Sequence, residues 1–314
     1  MKIALLGYGT VGSGTAECLR NHPMEGVDLA KVLDKRKIDE IKEILTDNID
    51  DILNDGTIET VVEVMGGEEP AYTFVKSALL KGKNVVSANK LMLSRHYNEL
   101  VNLAREKNLS LSFSAAAGGS IPWLFNLLRA KRVDNILNVG GVMNGTTNFI
   151  LTKMIREGMA FADALKLAQE LGYAEKDPTA DVEGIDACRK ICILASIAFG
   201  KHIYPEHVYT EGISKITLED VAYAEAWGGV IKLIGRTKRD ENGKVTIMVS
   251  PAMVSHESQL ASVSDVFNGI LVRGDATGDV VFYGKGAGKL PTASAVVADV
   301  IDCVKNWGVY KSPF

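Results

Sequence analysis

Over residues 1–128, short apolar runs alternate with segments of helical period. KIALLG, DLAKVLD, TVVEVMG, NVVSA and SLSFSA read as strands, and 11–21, 37–45, 70–82 and 95–107 read as helices. Alternation at this pace predicts βαβ units and an α/β domain whose parallel sheet is covered on both faces. Right-handed crossovers make it doubly wound. The second half is less regular. Residues 144–172 and 181–200 carry helical patterns, while 133–143, 245–254, 266–273 and 279–283 read as strands. That order predicts a second, α+β domain. Residues 286–309 open on a glycine turn and continue as a helix. The expected division is 1–130, completed by about 286–314, and 131–285. No Pro-, Gly- or Ser-rich linker separates the halves.

Within the second half, Ile185, Cys188, Ile191, Cys192, Ala195 and Phe199 recur at helical spacing and predict a largely buried helix. Just ahead of it, GYAEKDPTADVEGIDACRK holds five carboxylates, Glu175, Asp177, Asp181, Glu183 and Asp186, followed by Lys190. Asp186 and Lys190 are four apart, so both fall on one face of that helix's first turns. A lysine on a buried helix needs a partner or a task.

The 314 residues are too many for one ordinary core, which agrees with two units. A charged content of 24% and a hydrophobic content of 46% are those of a globular protein. A net charge of −4 with no basic block argues against nucleic acid or anionic membrane as partner. No apolar run approaches the roughly 20 residues of a membrane helix. Cys18, Cys188, Cys192 and Cys303 form no disulfide framework or CxxC motif, and a cytoplasmic location is expected. The five histidines show no metal-ligand spacing.

Gly7-Tyr8-Gly9-Thr10-Val11-Gly12 is a GxGxxG turn lying directly between the first strand and the first helix. The first glycine permits the turn, the second lets a pyrophosphate approach the backbone, and the third lets helix and strand pack. The first domain therefore reads as Rossmann-like and dinucleotide-binding. Asp34 follows Gly12 by 22 residues, close to the roughly 20 expected of a ribose-binding carboxylate, which favours NAD. Lys35, Arg36 and Lys37 come next and could pair with a 2′-phosphate, which favours NADP. Both cofactors stay open. Lys90, in NVVSANK, sits at the carboxyl end of a strand, the edge at which parallel sheets bind ligands.

GYGTVG, NVVSANK, GGSIP, GGVMNGTTNFIL, GYAEKDPTADVEGIDACRK and GKGAGKLPTASAV, in this order, resemble homoserine dehydrogenases over essentially the whole chain. The resemblance implies reversible reduction of L-aspartate 4-semialdehyde to L-homoserine with NADPH or NADH, a step of threonine, methionine and isoleucine biosynthesis. It implies Lys190 as the acid/base and Asp186 as its partner. Glu175 would bind the substrate's ammonium, with Asp181 in the same pocket and Lys90 near nicotinamide and substrate. Gly286 and Gly288 would return to the nucleotide. A monovalent cation, Na⁺ or K⁺, would sit on backbone carbonyls of Ser114, Ala117, Gly119 and Ile121, and a homodimer is expected.

The chain departs from the family pattern in three places: Ser114 stands where Glu is common, Trp227 where a smaller aliphatic is common, and SHESQLASVSDVFNGI matches loosely. It ends soon after the late helix, so feedback through a C-terminal regulatory domain is not expected. Two other functions fit the residues: another amino-acid dehydrogenase on the same nucleotide domain, or a non-catalytic dinucleotide sensor. Retention of both lysines and both key carboxylates weighs against the sensor.

Overall fold

KIALL forms β1 (Lys2–Leu6), four of whose five residues are buried. An apolar run of this kind suits a central parallel strand with both faces covered. After the glycine turn come α1 (Thr10–Asn21), β2 (Asp28–Leu33), β3 (Leu45–Thr46), α2 (Asp50–Leu53), β4 (Ile58–Glu63), α3 (Ala71–Leu80), β5 (Asn84–Ser87), α4 (Lys90–Glu106) and β6 (Leu111–Ser112). The six strands form one parallel sheet in the order β3-β2-β1-β4-β5-β6, the doubly wound dinucleotide-binding order.

This computed structural model describes residues 1–23 and 26–305 and falls into two compact units. Unit 1 is Met1–Ser120 with the chain from Ala287 on, and unit 2 is Ile121–Gly286. Unit 2 contains α5 (Trp123–Ala130), β7 (Ile136–Val142), α6 (Gly145–Glu157), α7 (Phe161–Glu170), α8 (Thr179–Val182), α9 (Ile185–Phe199), β8 (Tyr209–Thr210), α10 (Leu218–Ala226), β9 (Gly229–Arg239), β10 (Val245–Ser255), β11 (Phe267–Gly274) and β12 (Gly278–Lys285). Its sheet runs β12-β11-β7-β9-β10-β8 and is antiparallel except where β8 pairs with β10. The chain then returns to unit 1 as α11 (Lys289–Lys305), which packs on α1. Val296 and Val300 of α11 join Ile3, Leu5, Val32, Val62 and Val86 in the core of unit 1. The end of the expected 286–314 segment, residues 306–314, lies outside the described residues.

Several expectations shift. Residues 37–45 do not form the predicted α-helix. They make a 3₁₀ turn at Asp39–Ile41 and lead into the edge strand β3, where Leu45 pairs with Val32. The segment is too short to be helical by propensity, and pairing at the sheet edge decides its conformation. The helical pattern over 144–172 divides at Gly158, which has φ of 63° and closes α6 in the left-handed conformation. α5 belongs to unit 2, because it packs on α9 and β11.

α9 lies on β7, β9 and β10. Gly235 of β9 allows this contact: a Cβ there would be 3.3 Å from Ile191 Cβ. Between Asp186 and Ala198 only Arg189 escapes burial. Cys188 and Cys192, both buried on this helix, serve as small apolar residues.

Candidate active site

The glycine turn of unit 1 is built as a pyrophosphate cradle. Gly7 has φ of 95°, a conformation that disfavours side chains. A Cβ on Gly12 would stand 2.1 Å from the Gly7 carbonyl oxygen, so only glycine lets helix and strand close. Gly9 is the N-cap of α1, has no side-chain cap, and has open space where a Cβ would go. The first-turn amides of α1 thus lack intrahelical acceptors, the arrangement that binds a phosphate. The residues fit a dinucleotide.

Asp34 accepts from the Tyr8 amide at 2.9 Å and from Arg36 through Nε and Nη2 at 2.9 and 2.8 Å. The Arg36 guanidinium holds the Asp34 carboxyl far below the usual carboxylate range. The two residues with opposing cofactor implications are therefore each other's partners. Lys35 is exposed.

Lys90 is the first residue of α4, and a buried network not legible in the sequence fixes its position. Glu63, at the end of β4, is fully buried. It accepts from Ser87 Oγ (2.6 Å), the Met65 amide (2.9 Å) and Asn89 Nδ2 (3.3 Å). Burial pushes its carboxyl above the usual range, opposed by those donors. Asn89 also donates to Gly67 O (2.6 Å) and caps α4 by accepting from the Met92 amide (3.1 Å). Glu63 thereby ties the carboxyl ends of β4 and β5 to the turn that presents Lys90.

In unit 2 the acidic stretch resolves into parts. Lys190 and Asp186 are each 6% exposed, and Lys190 Nζ lies 2.8 Å from Asp186 Oδ2. Lys190 also donates to the Met143 carbonyl at 2.7 Å. Asn144, buried, donates through Nδ2 to Asp186 Oδ2 (2.9 Å) and Asp181 Oδ1 (2.6 Å). Its Oδ1 accepts from the Thr147 amide at 2.8 Å, capping α6. One amide thus locks the start of α6 to both carboxylates, a role visible in sequence only as a helix-capping Asn.

Glu175 is exposed and contributes its backbone carbonyl to Gln169. Its carboxylate is outside the network formed by the described residues. Asp177 accepts from the Thr179 amide and hydroxyl and shapes the loop. Among the described residues no group of three His, Cys, Asp or Glu side chains is placed to hold a metal ion.

Comparison with known proteins decides the family. Residues 122–301 match the family model for homoserine dehydrogenase, and residues 7–114 match its NAD binding domain. A homoserine dehydrogenase of Bacillus subtilis is 40% identical over 318 residues, covering 98% of this chain and 73% of that one. A crystal structure of a homoserine dehydrogenase from Thiobacillus denitrificans superposes with a TM-score of 0.92 at 43% identity, covering 97% of this chain and 73% of that one. A hyperthermophilic archaeal homoserine dehydrogenase in complex with NADPH gives 0.83 at 28% identity, with 98% of each chain covered. The chain belongs to the homoserine dehydrogenase family. Both its fold and its nicotinamide-cofactor domain are those of homoserine dehydrogenases.

Among the remaining positions carried over from homoserine dehydrogenases, Gly286 is pressed against Asn268: a Cβ would stand 1.7 Å from its Oδ1. Gly288 has φ of 122° just ahead of α11. Ser114 donates from its amide (2.8 Å) and hydroxyl (2.7 Å) to Asp299 of α11. Ala117 and Gly119 follow in unit 1, and the Ile121 carbonyl, at the start of unit 2, accepts from the Trp123 amide (2.8 Å).

Burial pushes Asp299 up to about 7, only partly offset by Ser114. The folded protein therefore holds this proton over a range, from about pH 4 to 7, in which the unfolded chain has lost it. Its contribution to stability is largest below that window and is lost as pH rises through it. Asp299→Asn should raise stability at pH 8 by a few kcal/mol, with the gain vanishing near pH 4. Urea midpoints across pH test this, and a pH-independent difference would refute it.

Proposed function

We propose that Lys190 delivers the proton, with Asp186 as its orienting partner, in NAD(P)H-dependent reduction of L-aspartate 4-semialdehyde to L-homoserine. The supporting observation is the buried Asp186–Lys190 pair, fixed from outside its own helix by Asn144 and the Met143 carbonyl. A plain helix-surface ion pair would need neither burial nor those partners.

A bound nicotinamide supplies the hydride. Lys190 stabilises negative charge developing on the carbonyl oxygen and gives it a proton. Asp186 holds the ammonium in place. Asp181 and the exposed Glu175 suit the substrate's α-ammonium, and Lys90 suits positioning of cofactor and substrate carboxylate. The Gly7–Gly12 turn holds the pyrophosphate. The Asp34–Arg36 pair supports use of both cofactors, since the carboxylate suits ribose hydroxyls and the guanidinium suits a 2′-phosphate.

The deciding experiment supplies L-homoserine with NADP⁺ or NAD⁺ at alkaline pH and follows reduced-cofactor absorbance. Folded protein giving no signal with either cofactor would sink this reading. Asn144→Ala leaves Asp181 and Asp186 without their shared donor, a loss of about 1–3 kcal/mol. We expect kcat/KM to fall roughly 10–100-fold; unchanged steady-state kinetics would remove Asn144 from the site.

The same reading includes a monovalent cation on the carbonyls of segment 114–121, supported by backbone turned at Gly118 and Gly119 (φ of 95° and 56°). It also includes a homodimer, supported by exposed apolar groups such as Tyr223, Trp227 and Met253. Unchanged turnover in choline salts would exclude the cation, and a monomeric mass in sedimentation would exclude the dimer.

A further inference from the structure

The C-terminal end of α6 borders a cavity whose lining includes none of the residues proposed to act in the reaction. Its volume is about 320 Å³, and its lining includes Thr152, Arg156, Lys232, His256, Ser262 and Ser264. From Gly145 to Arg156 the helix rises about 17 Å, which separates this cavity from the Asn144 end.

Lys232, on β9, is 2% exposed. Its Nζ donates to Asn148 Oδ1 at 3.1 Å and to the Val263 carbonyl at 2.5 Å. Both acceptors are neutral, and among the described residues no carboxylate lies within ion-pair distance of it. A buried ammonium without a counter-charge is costly. Burial, then Arg156, lowers its pKa to about 8, with Asp265 opposing. Arg156 donates to Ser264 Oγ at 2.9 Å and lies 3.9 Å from the half-exposed Asp265. The hydroxyl protons of Thr152 and Ser262 go to the carbonyls of Asn148 and Gln259. The side chains left to recruit a ligand include the cationic Arg156 and Lys232, and among the described residues Asp265 is the carboxylate paired with Arg156.

We propose that Arg156, Lys232 and His256 form a binding site for a small oxyanion of the phosphate class, either inorganic phosphate or the phosphate group of a small metabolite. The bound anion supplies the counter-charge that Lys232 lacks.

The test titrates the full chain, saturated with NADP⁺ so that the glycine turn is filled, with inorganic phosphate and separately with glycerol phosphate. Chloride at matched ionic strength is the reference, and heat of binding and Tm are read. Saturable binding and a raised Tm are expected. Arg156→Gln alters an exposed side chain, so its Tm in chloride should match the parent, while phosphate binding weakens about tenfold. Lys232→Met should lose the phosphate-dependent rise in Tm. Tighter binding of glycerol phosphate assigns the site to a metabolite, and equal or weaker binding assigns it to free phosphate. Absence of saturable binding, or an Arg156→Gln protein that binds phosphate like the parent, overturns the proposal.

Discussion

Lys190→Ala should lower turnover of L-homoserine about 10²–10⁴-fold, the range for a lost acid/base group, and leave cofactor affinity unchanged. The cofactor turn belongs to unit 1 and Lys190 to unit 2, so the two properties separate cleanly. The substitution also removes the ammonium paired with the buried Asp186. Breaking a buried pair on one side costs about 3–5 kcal/mol, so a lower Tm is expected as well. Lys190→Arg distinguishes the two effects. It keeps a positive charge beside Asp186, but a guanidinium gives up its proton far less readily than an ammonium. Recovery of Tm without recovery of turnover is the expected outcome. Near-normal turnover in the alanine protein would move the acid role to Lys90 or to water.

Gly12→Ala should abolish useful cofactor binding. The new Cβ would meet Gly7 O at 2.1 Å and Gly7 C at 3.0 Å, and both are backbone atoms that cannot rotate away. The turn has to open, which costs about 1–3 kcal/mol of stability. It also displaces the first-turn amides, and a shift of about 1 Å is enough for a 10²-fold effect. Gly9→Ala makes the informative contrast. Nothing lies within 4 Å of its Cβ, so Tm should hold. The methyl nevertheless occupies the face on which a pyrophosphate must rest, so affinity for NADP⁺ should fall by itself. Parent-like affinity in Gly9→Ala, measured by fluorescence titration, would show that this turn is not the phosphate cradle.

What could be read from the sequence followed from local periodicity. The run KIALLG before GxGxxG needed only its own residues to specify strand and turn, and the apolar spacing from Ile185 marked α9 with Asp186 and Lys190 on one face. β9 is not legible in the sequence because its apolar run, GVIKLIGRTKR, carries a lysine in the middle; that lysine is buried and bonded to groups 84 and 31 residues away. Glu63 and Asn144 were illegible for the same reason. Their partners are Ser87, 24 residues on, and Asp181 and Asp186, 37 and 42 residues on. A capping Asn and a strand-end Glu look ordinary until the fold supplies those partners. The 37–45 segment failed in the opposite sense: a local helical pattern yielded to edge pairing with β2.

The return of the chain to unit 1 as α11 sets an order of events during synthesis. A Cβ on Gly14 of α1 would stand 2.9 Å from Lys289 and 3.2 Å from Ala293, which measures how closely α11 seats on α1. Residues 1–120 alone lack Val296 and Val300 from their core. Unit 2 is a single uninterrupted stretch, so on the ribosome it is complete first. The nucleotide unit, although made first, waits with one helix uncovered until α11 emerges. At about 5–20 residues per second, that wait is on the order of ten seconds or more.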